Sequence, residues 1–205
     1  MLIGLTGTYC AGKNHVAALL EQRGLPVLDV DKLGHVAIEA EKAAIFFRFG
    51  RELQKPDGTV DRRLLGRKVF GKPEELAALE AIVHPGANRL TDEWIAARNG
   101  KTCIINAALL HRSTTFEQLD RIILVTAPFF TRLLRARKRD GLSLFVLLKR
   151  FISQKDFTTQ YFMRKADIYR VENRGLSDSR RLKAKLESQI DAILSDAILS
   201  EEGIF

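Results

Sequence analysis

Ile3-Gly4-Leu5-Thr6-Gly7-Thr8-Tyr9-Cys10-Ala11-Gly12-Lys13-Asn14 is the stretch that decides the fold. It reads as a buried β-strand, a loop framed by Gly7 and Gly12, and a lysine that opens a helix from Lys13 to Arg23. The spacing is that of a phosphate-binding loop, G-x-x-x-x-G-K, in its required strand-loop-helix context. Glycines let the backbone wrap a phosphate chain, and the helix N-terminus aims N–H groups at it. Lys13 adds a positive charge. The expected ATP-contacting positions are therefore Gly7, Tyr9, Cys10, Ala11, Gly12, Lys13, Asn14 and His15. A chance glycine-rich turn is the competing reading, and the ordered context argues against it. The last motif position departs: Asn14 stands where Ser or Thr normally offers a hydroxyl to Mg²⁺.

The chain has 205 residues, 46% hydrophobic and 28% charged. This suits one α/β domain, residues 1–205, with room for an insertion. The longest apolar runs fall well short of a membrane span, and Met1 leads straight into the first strand, so a cytoplasmic protein is expected. Two cysteines, Cys10 and Cys103, make neither a disulfide framework nor a metal-ligand spacing. Cys103 reads as a small core residue. Cys10, beside a helix start, is either a thiol of lowered pKa or an unreactive loop residue.

A net charge of +8 suits an acidic ligand. The charge concentrates in Arg132, Arg135, Arg137, Lys138, Arg139, Lys149 and Arg150, opposed only by Asp140. No zinc-finger spacing or RNA-binding aromatic motif accompanies the cluster, so nucleic acid is a minor reading.

Strands alternate with helices, which implies a parallel sheet. The expected strands are Leu2–Thr6, Pro26–Val30, Thr102–Asn106, Arg121–Thr126 and Ile168–Val171. Leu182, Leu186, Ile190, Ile193, Leu194 and Ile198 recur at helical spacing near the C-terminus. Between the second and third strands lie some seventy mostly helical residues, Lys32 to Gly100, too many for a simple crossover. That insertion is the expected seat of a second substrate. Asp29 and Asp31 end the second strand, and their alternation places both carboxylates on one strand face, where open α/β sheets put their ligands. Helix capping or loop hydrogen bonding competes as the role of Asp29.

Several stretches, taken in order from about Met1 to Leu186, resemble the dephospho-coenzyme A kinase family: LIGLTGTYCAGKN, VLDVDKLGH, the middle run FGRELQKPDGTVDRRLLGRKVFGKPEELAALEAIVHPGANR, IINAALLHR, RARKRDGLS, Arg150 with Gln154, and KADIYRVENRG. The middle run is the most specific, since phosphate loops occur in many kinases. The resemblance implies a three-layer P-loop fold with a five-stranded parallel sheet. It also implies a helical dephospho-CoA-binding insertion over residues 60–99 and a lid over residues 139–160. The implied activity is transfer of the γ-phosphoryl group of ATP to the ribose 3′-hydroxyl of dephospho-CoA, the last step of coenzyme A biosynthesis, with Mg²⁺ as cofactor.

The resemblance also implies roles. Lys13, Asp31 and Arg139 are the catalytic set, with Asp31 orienting and deprotonating the attacking hydroxyl and, with Asn14, helping hold Mg²⁺. Asp31, His35, His84 and Arg89 are the substrate contacts. His35 stands where the family more often has arginine, and a plain surface histidine is its alternative. For His84-Pro85 the alternative is a helix start with His84 as cap. Arg132, Arg135 and Arg139 fall on one helical face leading to Arg150, and planar permanently charged donors suit spreading phosphoryl charge. Arg139 and Arg150 are the first choices there and Arg135 the next; these arginines are expected to lie unpaired around Gly141. Asn173 and Gly175 match a turn near the adenine, although one residue is inserted before them.

Three further departures fall in IINAALLHR, where the family's acid, proline and glutamate appear as Asn106, Ala108 and Arg112. Two other classes stand beside the leading one: another small-molecule or nucleotide kinase on this fold, and a non-catalytic nucleotide- or nucleic-acid-binding protein. Oligomeric state is not encoded in any motif.

Overall fold

The computed structural model describes residues 1–153, 161, 167–175 and 180–201. Five strands form one sheet: β1 (Leu2–Gly7), β2 (Val27–Asp29), β3 (Cys103–Asn106), β4 (Arg121–Thr126) and β5 (Asp167–Glu172). Their order is β2-β3-β1-β4-β5, with β1 central and paired in parallel to β3 and β4, and β4 paired in parallel to β5. This is the expected α/β class. Strands β1, β3 and β4 are apolar runs covered on both faces, whereas β5 exposes Asp167 and Arg170. Ile3, Leu5, Ile104, Ile122 and Ile123 are fully buried.

Helix α1 (Lys13–Gln22) follows β1. Val16, Ala17, Leu19 and Leu20 form its buried stripe, and each large member contributes about 2 kcal/mol relative to exposure. Gly24 ends it: the Leu25 N–H bonds back to the Leu20 carbonyl and the Gly24 N–H to Glu21, closing the last turn as in a glycine-terminated helix. Helix α8 (Arg180–Glu201) adds Leu186, Ile190 and Ile193 to the core that α1 shares with Ile3, Leu5, Ile123, Val125 and Val171.

Contacts divide the chain into two compact units, residues 1–27 with 101–205, and residues 28–100. The expected insertion, residues 60–99, is part of the second unit. That unit contains α2 (Val30–Ala40), α3 (Lys42–Phe49), α4 (Arg62–Val69) and α5 (Pro73–Ala96), closed over Ala37, Ile45, Phe49, Leu53, Val60, Leu65, Val69, Val83 and Ala87. Its PDGTVDRR run is built for folding. The Asp57 carboxylate accepts from the Thr59 N–H and hydroxyl, Gly58 takes φ +78°, Val60 is buried, and Asp61 caps α4 by accepting from Arg63 and Leu64.

Two expectations are corrected in this unit. The second strand ends at Asp29, and Val30 already belongs to α2, because the Asp29 side chain caps that helix by accepting from the Lys32 N–H at 3.3 Å. Asp31 is therefore a first-turn helical residue, and the two carboxylates do not share a strand face. Pro85 does not start a helix. It lies inside α5, whose first position is Pro73. Pro85 cannot donate to the Ala81 carbonyl, but Ala81 is exposed and water can satisfy it, while burial of Val83, Gly86 and Ala87 carries the helix through.

Candidate active site

The C-terminal ends of β1, β3, β4 and β5 meet around the loop from Gly7 to Lys13. The loop is tied to the sheet by the Thr8 N–H on the Val125 carbonyl, 3.1 Å, and folds on itself through Ala11 to Thr8, 2.9 Å. Two glycines are required by this geometry. A Cβ at Gly7 would lie 2.8 Å from the Val125 carbonyl oxygen, and one at Gly12 would lie 2.3 Å from Asn173 Nδ2, with Gly12 also held at φ +93°. Gly12 caps α1 without any side-chain hydrogen bond. The His15 N–H turns back to the Gly12 carbonyl at 3.0 Å, while the N–H groups ahead of it are those an α-helix leaves without an intrahelical acceptor, with their partial positive charge toward the loop. Lys13 occupies that first turn, and exposed Asn14 and His15 follow it.

Behind the loop lies a fixed brace. Helix α6 (Phe129–Asp140) delivers Arg135, whose Nη1 donates to the Ala11 carbonyl at 2.9 Å and to the Cys10 carbonyl at 3.4 Å. Its Nη2 donates to Asn173 Oδ1 at 3.1 Å, to the Asn173 carbonyl at 3.4 Å and to the Gly175 carbonyl. Buried Asn173 completes the brace, giving its Nδ2 to the Ala11 carbonyl at 3.0 Å and its backbone N–H to Thr126 at 2.8 Å. Both ends of the Asn173 amide are thus committed to the loop and Arg135.

In front of the loop lies a charged cluster. The Tyr9 hydroxyl donates to the Asp140 carboxylate. Arg139 donates to both carboxylate oxygens, at 2.7 and 3.2 Å. From α7 (Leu144–Ser153), Arg150 Nη1 reaches the Tyr9 oxygen at 3.3 Å and Asp140 at 3.4 Å. The expectation of unpaired arginines around Gly141 is therefore overturned: Arg139 and Arg150 both pair with Asp140. Hydrogen bonding from Arg139, then from Tyr9, holds the Asp140 carboxyl below the usual range against the opposing effect of burial. Burial, then the bond to Asp140, pushes Tyr9 up. Apolar packing supports the cluster, with Phe151 edge-on to Tyr9 at 5.3 Å and to Phe129 at 5.2 Å, the Arg139 guanidinium 5.1 Å from the Tyr9 ring centre, and Arg132 4.9 Å from that of Phe151. Burial raises the Cys10 thiol pKa and outweighs the lowering effect of Arg139.

The contacts of Asp140 and Phe151 with Tyr9 were not expected. Tyr9 and Asp140 lie 131 positions apart, and the only sequence signal was that Asp140 is the lone acid in a basic run. Asn106, at the end of β3, donates from Nδ2 to Asn14 Oδ1 at 3.4 Å. Two departures from the family pattern therefore touch each other. Gln154 and residues 155–160 of the expected lid lie outside the described residues.

In the second unit, Asp31 and His35 are exposed one turn apart on α2, which packs on α5. His84 and Arg89 are exposed on α5, and Arg89 faces Glu93 at 3.8 Å. A solvated pair of that kind contributes little to stability and leaves Arg89 available to a ligand. Among the described residues there is no cluster of three His, Cys, Asp or Glu side chains suited to a metal. None of the described helices is long and apolar enough to cross a membrane.

A glycine-framed loop after a central parallel strand, with a lysine in the first turn of the next helix and arginines on the following ones, defines an ATP-dependent P-loop phosphotransferase. The profile of the dephospho-CoA kinase family matches residues 1–178. The dephospho-CoA kinase of Treponema pallidum is 33% identical over 95% of this chain and 94% of its own length. That of Thermus thermophilus is 37% identical over 91% and 90%. A crystal structure from Thermus thermophilus superposes with a TM-score of 0.77 at 34% identity, covering 96% of this chain and 97% of that one. The chain belongs to the dephospho-CoA kinase family.

Proposed function

We propose that the chain transfers the γ-phosphoryl group of ATP to the ribose 3′-hydroxyl of dephospho-CoA with the following division of labour. The loop N–H groups and Lys13 receive the β- and γ-phosphates. Arg135 and Asn173 hold the loop in its phosphate-ready shape and leave the charge work to others. Arg139 and Arg150 are the exchangeable donors. They exchange the Asp140 carboxylate for phosphoryl oxygens as ATP arrives, and their planar guanidinium groups follow charge as it spreads in the transition state. Residues 139–160 act as the lid that carries this exchange, Arg139 and Arg150 being its working residues.

Asp31 orients the 3′-hydroxyl and accepts its proton, and His35, His84 and Arg89 bind the dephospho-CoA nucleotide. These four assignments rest on the resemblance and on the exposure of all four side chains. Mg²⁺ is the metal of the reaction. The residues present offer a hard cation an oxygen: the Asn14 side chain is exposed at the first turn of α1, and its neutral Oδ1, which accepts from Asn106 Nδ2 at 3.4 Å, keeps a second lone pair. Asn14 and Asp31 would hold the metal, which when bound offsets the phosphate charge.

The observation that carries this reading is the loop itself, closed by Arg135 and Asn173 around a Gly12 that tolerates no side chain. The test is coupled detection of ADP with Mg²⁺ as the only added metal. ADP release should depend on dephospho-CoA and not on shikimate or a nucleoside monophosphate. Asp31→Asn should lower kcat on the order of a hundredfold, the scale of a positioned acid-base group, while ATP still binds. A loss in Asp29→Asn with Asp31→Asn fully active would assign the wrong carboxylate.

A further inference from the structure

The charged cluster in front of the loop holds two kinds of hydrogen bond, and the Tyr9 hydroxyl takes part in both. Asp140 ends α6, the helix that Arg135 fastens to the Cys10 and Ala11 carbonyls, and Tyr9 is the residue before Cys10. The bond from the Tyr9 hydroxyl to the Asp140 carboxylate therefore joins two segments that are already tied together. The arginines are held less firmly: Arg150 comes from the separate helix α7, and the Arg139 side chain is 60% exposed. The Asp140 side chain is only 16% exposed and accepts from Tyr9, from Arg139 through two nitrogens and from Arg150. Once both arginines pass to a triphosphate, the Tyr9 hydroxyl is the one of these three donors that stays. A half-shielded charge that loses partners is costly, and a hydroxyl bond to it gains in worth as the other donors leave.

We propose that the Tyr9 side chain is a positioning residue for ATP binding: its hydroxyl stays on Asp140 and supports that carboxylate while Arg139 and Arg150 are handed to the phosphates. The proposal rests on the arginine exchange described above and names the group that makes the exchange affordable. Two bonds meet at the Tyr9 oxygen. It accepts from Arg150 at 3.3 Å, which favours the resting state, and it donates to Asp140 in both states. The first is a long contact to a neutral oxygen. The second is a charge-assisted bond, and it matters most when the arginines have gone. Removing the hydroxyl therefore costs the ATP-bound state more than the resting one. The ring contacts with Phe151 and with the Arg139 guanidinium need no hydroxyl, so Tyr9→Phe keeps the packing and deletes only the two hydrogen bonds.

The experiment is a double-mutant cycle: ATP dissociation constants measured by calorimetry on the whole chain, in excess Mg²⁺, for the parent, Tyr9→Phe, Asp140→Asn and the two combined. Tyr9→Phe should bind ATP roughly three- to tenfold more weakly than the parent, the part of a hydrogen bond to a charged group that differs between the two states. In the Asp140→Asn background no carboxylate needs support, and the same substitution should change the dissociation constant by less than about twofold. An unchanged or smaller dissociation constant in Tyr9→Phe would overturn the proposal. Equal weakening in both backgrounds would overturn it too, because the hydroxyl would then act on the nucleotide or on the fold and not through Asp140. Weaker ATP binding by Asp140→Asn alone would instead overturn the arginine exchange, and a parent that binds no ATP would overturn the phosphate-loop reading beneath it.

Discussion

Arg135 and Arg139 lie one helical turn apart on α6, and they occupy opposite electrostatic circumstances. Arg135 is half-buried and surrounded by carbonyl oxygens of Cys10, Ala11, Asn173 and Gly175 and by the Asn173 amide. Arg139 is exposed and bound to a single carboxylate, Asp140. The first arrangement satisfies a planar five-donor group with several neutral acceptors from two separate segments, so no one ligand readily displaces them. The second holds a charge with one countercharge in partial contact with water, and an incoming triphosphate presents more negative charge in the same chemical form. Identical residue types thus serve architecture behind the loop and ligand exchange in front of it. What distinguishes them is the number and charge of their partners.

Four substitutions separate the two regions. Lys13→Ala lies between them and should have the largest effect, abolishing dephospho-CoA-dependent ADP release while the melting temperature stays within a degree or two. Parent-like turnover would remove the loop from the chemistry. Arg139→Ala should lower kcat by on the order of a hundredfold, the range seen when one donor to a developing oxyanion is deleted, again with the melting temperature unchanged. A fall in stability there would place Arg139 in the architecture after all. Arg135→Ala should do the reverse: it strips the donors from several carbonyls and should cost about 2–3 kcal/mol, a drop in melting temperature of roughly 5–10 °C for a chain of this size. Normal stability in that variant would break the comparison. Asp140→Asn should have the smallest effect, a few-fold lower KM for ATP, since the competing carboxylate is gone. A raised KM would mean that Asp140 orients the arginines for phosphate and does not compete with it.

The sheet and the loop were legible because their signals are local. Short β-rich apolar runs, a glycine-lysine spacing and the Gly24 stop each fix the backbone within a few residues of themselves. The middle run that carries the family resemblance turned out to encode turn and cap chemistry through Asp57, Gly58 and Asp61, which explains its specificity without assigning those residues to catalysis. The misplacements arose where two local signals compete. Pro26 to Val30 reads as continuous strand, yet the Asp29 cap wins Val30 and Asp31 for the helix. Pro85 follows a polar histidine as at many helix starts, yet packing around Val83 and Ala87 keeps it internal. The Tyr9–Asp140–Arg150 cluster and the Asn14–Asn106 contact join residues from distant segments, and nothing in the spacing of a single sequence reports that they meet.

The most direct measurement is a crystal structure of the chain with a non-hydrolysable ATP analogue. The β- and γ-phosphates should lie in the Gly7–Asn14 loop, with Arg139 and Arg150 moved from Asp140 onto phosphate oxygens and Arg135 still on Ala11 and Asn173. Phosphates bound in the loop with Arg139 and Arg150 still on Asp140, or with Arg135 drawn off the loop carbonyls, would contradict the account.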